Sequence, residues 1–374
     1  MIKVCHMTSA HLSTDVRIFH KQCTSLAKVY DVYLIAQGNK NYELNGVKIT
    51  GIPKEVKKGF FKKMKHRIQR LHKVYKRALE IDADIYQIHD PELLLVALKF
   101  KRKGKKVIFD SHENHPTQIE NKTYLSRHLR KIVSRIYKIY ETKVCKRIDA
   151  VIFPCTIKGE NIFEGRAKKV VFISNAVKLN ELYVKYNPDF TKKSRSVCYI
   201  GGLSYERGIS HLIEASYKAN ATLILGGHFS TLNYDEKLKI KEEYKCVDYR
   251  GTVDRDDIAD ILNKSFIGAC NILNIGQYNT FDNLATKVYE YMSMGLPVII
   301  SDYAYARQIN EKYNCFILVA PDNTEKITKA INFLFGNPEI AKEMGQNGRR
   351  AVLEEFNWDV EEKKLLGLYE SMCN

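Results

Sequence analysis

No run of eighteen consecutive apolar residues occurs in this chain of 374 residues, so no helix is expected to cross a bilayer. The N-terminus, MIKVCHM, lacks the apolar core and small-residue cleavage site of a signal peptide and reads as a first strand. Nine cysteines are scattered with no C-x-x-C pair, which argues against a disulfide framework and against structural zinc and makes the reducing cytoplasm the expected location. The dinucleotide fingerprint G-x-G-x-x-G is missing, and no D-x-D pair stands on a strand end where it would bind a metal and a diphosphate. RNA-binding and helix-turn-helix signatures are missing too.

What is there is enough core for two domains, with 45% hydrophobic residues, and a strong charge asymmetry. Residues 1 to 173 hold 36 Lys and Arg against 16 Asp and Glu, and the remainder 24 against 27, so the whole net charge of +17 comes from the first half. The densest segment, KEVKKGFFKKMKHRIQRLHKVYKRAL (54 to 79), places Phe60, Phe61, Met64, Ile68, Leu71 and Tyr75 at three- and four-residue steps. That is a basic amphipathic helix, suited to an anionic lipid surface or to packing on its own sheet. Two further basic runs are KFKRKGKK (99 to 106), read as a solvated helix end, and SRHLRKIVSRIYKIYETKVCKR (126 to 147).

Strand and helix patterns alternate throughout. Strands are predicted at 2–7, 31–36, 47–52, 84–89, 106–110, 150–154 and 169–173, then at 196–200, 221–225, 246–251, 266–270, 297–301 and 315–319. This is the pattern of doubly wound parallel sheets, two in series, joined near residues 174 to 194 by a polar stretch containing Pro188. The predicted domains are 1–175 and 190–356, followed by a C-terminal helix over 357–374.

Open α/β sheets bind ligands at the carboxyl ends of their strands. The first half has three polar loops in such places: SAHLSTDVRIFHKQC (9 to 23), with Asp15 a helix N-cap and His11 and Arg17 beside it; IHDPELL (88 to 94), with His89 and Asp90; and FDSHENHP (109 to 116), with His112 and Glu113. The second half opens with YIGGLSYERG (199 to 208), where Gly201 and Gly202 allow close approach of a phosphate and Arg207 adds a charge-assisted donor. Further on, DNLATKVYEYMSMGLPVIISD (282 to 302) reads as a polar loop, a helix from about Ala285 to Met294 stopped by Gly295 and Pro297, and a buried strand. The helix N-terminus suits an anion, and Glu290 lies one turn further in, within reach of sugar hydroxyls.

This last stretch resembles the nucleotide-sugar site of the retaining glycosyltransferases of family 4, in which E-x7-E precedes AMAxGxPVV or, in one branch, the site reads NSLPTKLFEYMAAGLPVI. The glycine turn is similar to the family's VGRLxxxKG, and the first-half loops resemble DTRIFHKE, HDPEL and YDVHEDYP of the same branch, so the likeness runs from near residue 6 to near residue 370. It implies the GT-B arrangement, two Rossmann-like doubly wound domains facing a cleft, with the last helix crossing back to the first domain. It implies that Glu290 holds the donor ribose, that Asp282, Asn283, Ala285 and Thr286 belong to the donor loop, and that Arg207 binds the diphosphate. His112 corresponds to the histidine beside the transferred sugar. His11, Asp15, Arg17, His89, Asp90 and Glu113 then fall on the acceptor side.

This chain departs from the pattern in three places: Asp282 replaces the first Glu, Ala285 a Pro, and Gly202 the family's Arg. Lys287 either supplies the missing cation or points to solvent.

The implied reaction moves a sugar from a nucleoside diphosphate sugar to a hydroxyl with retention, without metal or other cofactor. A glycan or lipid-linked acceptor, a cytoplasmic location and an anionic membrane surface on the inner face of the plasma membrane follow as expectations. A sugar-nucleotide epimerase of the same fold and a non-catalytic scaffold of a polysaccharide assembly complex are the alternatives; a nucleic-acid-binding protein would leave the acidic second half unexplained.

Overall fold

The computed structural model describes residues 1–53, 60–122 and 126–373, and of residues 60–64 the backbone alone. The chain forms two compact units: Met1–Thr156 with Glu160–Asn175 and Glu361–Asn374, and Ile157–Gly159 with Ala176–Val360.

The first unit contains an eight-stranded sheet of order β3-β4-β2-β1-β5-β6-β7-β8. Its strands are β1 (Lys3–Leu12), β2 (Asp31–Gln37), β3 (Tyr42–Leu44), β4 (Val47–Ile52), β5 (Ile85–Ile88), β6 (Lys106–Asp110), β7 (Ala150–Phe153) and β8 (Val170–Phe172). Both β5 and β7 are buried along their whole length, as parallel strands covered on two faces must be. Among the described strands only β3 runs antiparallel, pairing Leu44 with Val47 across a hairpin whose Asn45 and Gly46 have φ of 52° and 73°. The predicted strands omit β3 because it is short and fully exposed, although Asn-Gly is the hairpin signal in the sequence. β1 is longer than predicted, continuing through a register shift between Met7 and Leu12.

Asp15 caps the helical segment after β1 by accepting from the backbone N–H groups of Arg17 and Ile18; the segment is a π-helix, Val16–Cys23, that runs into the short α1 (Thr24–Leu26). The basic helix of the sequence is α2 (Phe60–Ile81), with Val74 and Ala78 fully buried and Tyr75 edge-on to Phe100. Packing is thus the role of its C-terminal apolar residues. Lys54, Glu55, Lys57 and Lys58 lie outside the described residues. There follow α3 (Leu94–Arg102), α4 (His115–Glu120) and α5 (Arg127–Cys145).

The second unit is built on a six-stranded parallel sheet of order β11-β10-β9-β12-β13-β14. Its strands are β9 (Ser196–Ile200), β10 (Thr222–Gly226), β11 (Val247–Gly251), β12 (Ile267–Cys270), β13 (Val298–Ser301) and β14 (Phe316–Val319), each within two residues of prediction. Helices α6 (Ile209–Lys218), α7 (Leu232–Lys239), α8 (Arg255–Lys264), α9 (Thr286–Ser293), α10 (Ala304–Tyr313), α11 (Thr324–Gly336) and α12 (Pro338–Glu354) connect and cover them, and α13 (Trp358–Cys373) follows. Gly295, at φ +64°, ends α9 where a Cβ would lie 2.7 Å from the Tyr186 ring. Val288, Tyr291 and Met292 fix α9 in one core cluster with Val298 and Ile300.

Candidate functional site

Among the parallel strands of each sheet the order reverses once, between β1 and β5 in the first and between β9 and β12 in the second. Loops leaving the carboxyl ends of such neighbouring strands part to opposite faces and leave room for a ligand.

In the first unit this place is built around Asp110, fully buried at the end of β6. Arg17 grips it with Nε at 3.2 Å and Nη2 at 2.8 Å, while Nη1 donates to the carbonyl of Ile173 at 3.0 Å. Gln22 donates to Oδ2 at 2.7 Å, and the same oxygen lies 3.1 Å from His112 Nε2 and 3.2 Å from His89 Nδ1. Burial alone would raise the carboxyl pKa, but Arg17, His112 and His89 hold it well below the usual carboxylate range. Behind His89, His6 Nδ1 stands 3.0 Å from its Nε2, and the Tyr369 hydroxyl stands 3.1 Å from His6 Nε2 and donates to Gln87 at 2.6 Å. Gln87 donates in turn to Gln22 at 2.5 Å, closing the circuit. Burial pushes both His6 and His89 below the ordinary histidine value.

Asp90 is likewise enclosed, accepting from the Thr8 hydroxyl at 2.8 Å and from the Ser9 backbone at 2.5 Å. Arg17, His89 and Asp90 therefore face inward as supports. His11, Asp15, His112 and Glu113 are the predicted residues of these loops that keep solvent contact. His11 Nδ1 is 3.2 Å from Asp15, a contact that raises the histidine pKa, and Glu113 accepts from Gln118. His89, Asp110 and His112 bring three metal-ligating atoms within 4.8 Å. Their charge is already balanced by Arg17, and a divalent ion there would face the guanidinium.

In the second unit β9 runs into Gly201, at φ +139°, where a Cβ would lie 2.8 Å from Lys287 Nζ. Gly227, at φ +137°, packs so closely on this turn that a Cβ would lie 1.9 Å from the Gly201 carbonyl oxygen. A side chain at Gly202 would meet Arg207 at 3.5 Å, and the Arg207 guanidinium stands 5.9 Å from the Tyr278 ring centroid. A Cβ at position 202 would make only an ordinary contact with Arg207, so the packing gives no steric reason for glycine there.

Lys287 and Glu290 are i and i+3 on α9 and share one face. Both are buried. Lys287 is 7% exposed with its amine 3.3 Å from the centroid of the Tyr199 ring, so the reading in which it points to solvent is overturned. Among the described residues its Nζ finds no hydrogen-bond acceptor, and burial pushes its pKa down to about 7. Ala285 offers no capping side chain at the start of α9, where the helix carries its partial positive charge. Glu290 is held by Arg255, which also pairs with Glu181 at 2.8 Å. Asp282 accepts from the Gly159 backbone at 2.7 Å, and Asn283 Oδ1 from the Tyr289 hydroxyl at 2.6 Å.

Sequence reasoning missed Gln22, Gln87, Tyr369 and Arg255. Arg255 alone carried a signal, standing at the start of a helix that follows a strand; the other three are drawn together from distant parts of the chain.

Residues 16–181 match the model of Glycosyltransferase Family 4, and residues 185–351 that of Glycosyl transferases group 1. Consecutive along most of the chain, the two matches make this protein a GT-B glycosyltransferase of the family 4 type. It is similar to the uncharacterized glycosyltransferase MJ1069 of Methanocaldococcus jannaschii, 23% identical over 292 residues, covering 74% of this chain and 71% of that protein. A second protein of that organism, the uncharacterized glycosyltransferase MJ1607, is 25% identical over 182 residues, and the chain spans under half of its length, 45%, matching over 47% of its own. Among solved structures, Anabaena HepE in complex with UDP and glucose superposes with a TM-score of 0.73 at 14% identity, covering 99% of this chain and 100% of that one. At that identity the likeness concerns the fold.

Proposed function

We propose that the protein transfers a sugar from a nucleoside diphosphate sugar to a hydroxyl of a glycan or lipid-linked acceptor, with retention, in the synthesis of a cell-surface polysaccharide or glycolipid at the cytoplasmic side of the membrane. The observation that carries this reading is the buried, unaccepted amine of Lys287, set between the Gly201 turn and the uncapped start of α9. A buried cation without an acceptor costs the free protein, and a diphosphate supplies the acceptor.

As the glycosidic bond breaks, charge builds on the diphosphate. Arg207, Lys287 and the α9 N-terminus stabilise it without a metal. The leaving phosphate oxygen takes the acceptor proton on the face it departs from, so no side chain is assigned as general base. Glu290, steadied by Arg255, receives the ribose hydroxyls. In the first unit His112, backed by Asp110, is the candidate sugar contact, and in the second unit Asp282 belongs to the donor loop. A UDP-bound neighbour of the same fold supports the nucleotide part of the reading.

The test is a panel of nucleotide sugars and free nucleoside diphosphates screened for thermal stabilisation, which needs no acceptor. Glu290→Gln should weaken the intact donor and the free nucleoside diphosphate together; a fall in one alone would detach Glu290 from the ribose. NMR of the product formed with an acceptor reads the anomeric configuration. Incubation of donor without acceptor separates transfer from epimerisation, since an epimerase would convert the donor sugar.

A further inference from the structure

The apolar residues of α2 are partly spent on its own sheet, whereas from Leu129 to Ile139 of α5 five of them are left exposed. Leu129, Ile132, Val133, Ile136 and Ile139 are all exposed, Ile132 by 56% and Ile136 by 62%. The helix is anchored by its other side, where Ser134, Glu141, Val144 and Cys145 are buried and Glu141 pairs with Arg166. At 3.6 residues per turn the exposed apolar residues form one continuous arc roughly opposite the buried one. Beside it runs a second arc of exposed cations, Lys131, Arg135 and Lys138. From Ser126 to Tyr140 the helix carries no acid at all. Solubility alone would not place large aliphatic side chains on the outer face of a nineteen-residue helix.

We propose that α5 is the membrane-docking element of this protein: it lies along an anionic lipid surface, with Ile132, Ile136 and Ile139 entering the acyl boundary and Lys131, Arg135 and Lys138 reaching the headgroups. Three things on this helix favour lipid over a protein groove. The apolar residues are aliphatic and evenly spread, the cations line one flank, and nothing acidic on this face would repel phosphate. The inference extends the proposed acceptor side to a lipid surface and is tested without donor or acceptor, so its failure would leave sugar transfer standing.

The experiment is co-sedimentation of the full chain with phosphatidylcholine vesicles, with and without phosphatidylglycerol. Wild type should bind the anionic vesicles and lose binding as salt rises. Ile132→Ser with Ile136→Ser should lower partitioning at least about tenfold. Charge reversal of Lys131, Arg135 and Lys138 should lower it by about fivefold or more per residue. Nucleotide-sugar binding and the thermal midpoint should persist in both variants, because the altered side chains are exposed. Three outcomes would overturn the assignment: wild type ignoring anionic vesicles at low salt, the α5 variants binding as well as wild type, or analytical ultracentrifugation finding a dimer that the Ile132 and Ile136 changes dissociate while vesicle binding stays intact. The last would make the face a contact between copies of this chain.

Discussion

The polar clusters at the two switch points are built on opposite principles. Around Asp110 the strong groups are answered: the carboxylate is met by Arg17, Gln22, His89 and His112, and His89 is backed by His6, which in turn meets Tyr369. Around Lys287 the cation is buried yet unanswered. A satisfied network resists displacement and fixes the side chains at its edge, here His112. A buried group lacking a partner costs the free protein and gains most when a complementary ligand arrives. Under the proposed function the first cluster is a support and the second captures the ligand, and four changes probe that contrast.

The largest effect should follow from Asp110→Ala, which leaves the Arg17 guanidinium buried without its counter-charge. Loss of about 3–5 kcal/mol in urea unfolding is expected. A loss below about 1 kcal/mol would mean that the network relaxes easily and cannot be what positions His112.

Arg207→Ala comes next. Removing one charge-assisted contact of about 1.5–3 kcal/mol should slow turnover about 10- to 100-fold, with a smaller change in donor affinity, because the charge it meets grows toward the transition state. Steady-state and single-turnover kinetics would reveal an unchanged rate, which would remove Arg207 from the site.

Lys287→Met should lower nucleoside diphosphate affinity about tenfold without destabilising the free protein. Its pH behaviour is the sharper readout. The folded pKa of about 7 lies below the ordinary 10.5, so between those values the unfolded chain binds a proton that the folded chain does not, and stability rises with pH across that window. Below it the full penalty is present; above it the penalty is gone. The Met variant should lose this slope. A bound diphosphate should raise the pKa again, in the company of Arg207, Glu290, Cys198 and Cys270, which face the amine. Binding just above neutrality should therefore take up a fraction of a proton in wild type and none in the variant, as calorimetry in buffers of different ionisation heat would detect.

Arg255→Ala should have the smallest effect. Its side chain is 40% exposed, so its pair with Glu290 contributes under about 1 kcal/mol. Donor binding should weaken a fewfold, and if it strengthens instead, Arg255 competes with the ribose for Glu290 rather than orienting it.

Much of this arrangement was legible in the residues. Runs such as VIIS, apolar on both faces, announced parallel strands, and Asp15 announced a cap because a carboxylate before a helix has two orphan N–H groups to receive. The antiparallel β3 escaped because its three exposed residues carry no hydrophobic pattern, with only Asn45-Gly46 to betray it. The place of Lys287 was undecidable from spacing, since both orientations suit the first turn of a helix. The burial came from Tyr199, on a strand far away in sequence.

What the sequence by itself determined is what periodicity and backbone chemistry decide locally: the alternation of elements, the stop at Gly295, and loops rich in polar groups after β1, β5, β6, β9 and β12. Only the tertiary structure decided which of those polar groups are supports. Arg17 and Asp110 are 93 residues apart and Tyr369 is 363 from His6, so their pairing depends on which strands lie side by side. The same holds for the two basic helices. Their sequences are equally amphipathic, but whether an apolar face becomes core or surface depends on what the rest of the chain packs against it, and the sheet covers Val74 and Ala78 of α2 while leaving Ile132 and Ile136 of α5 in water.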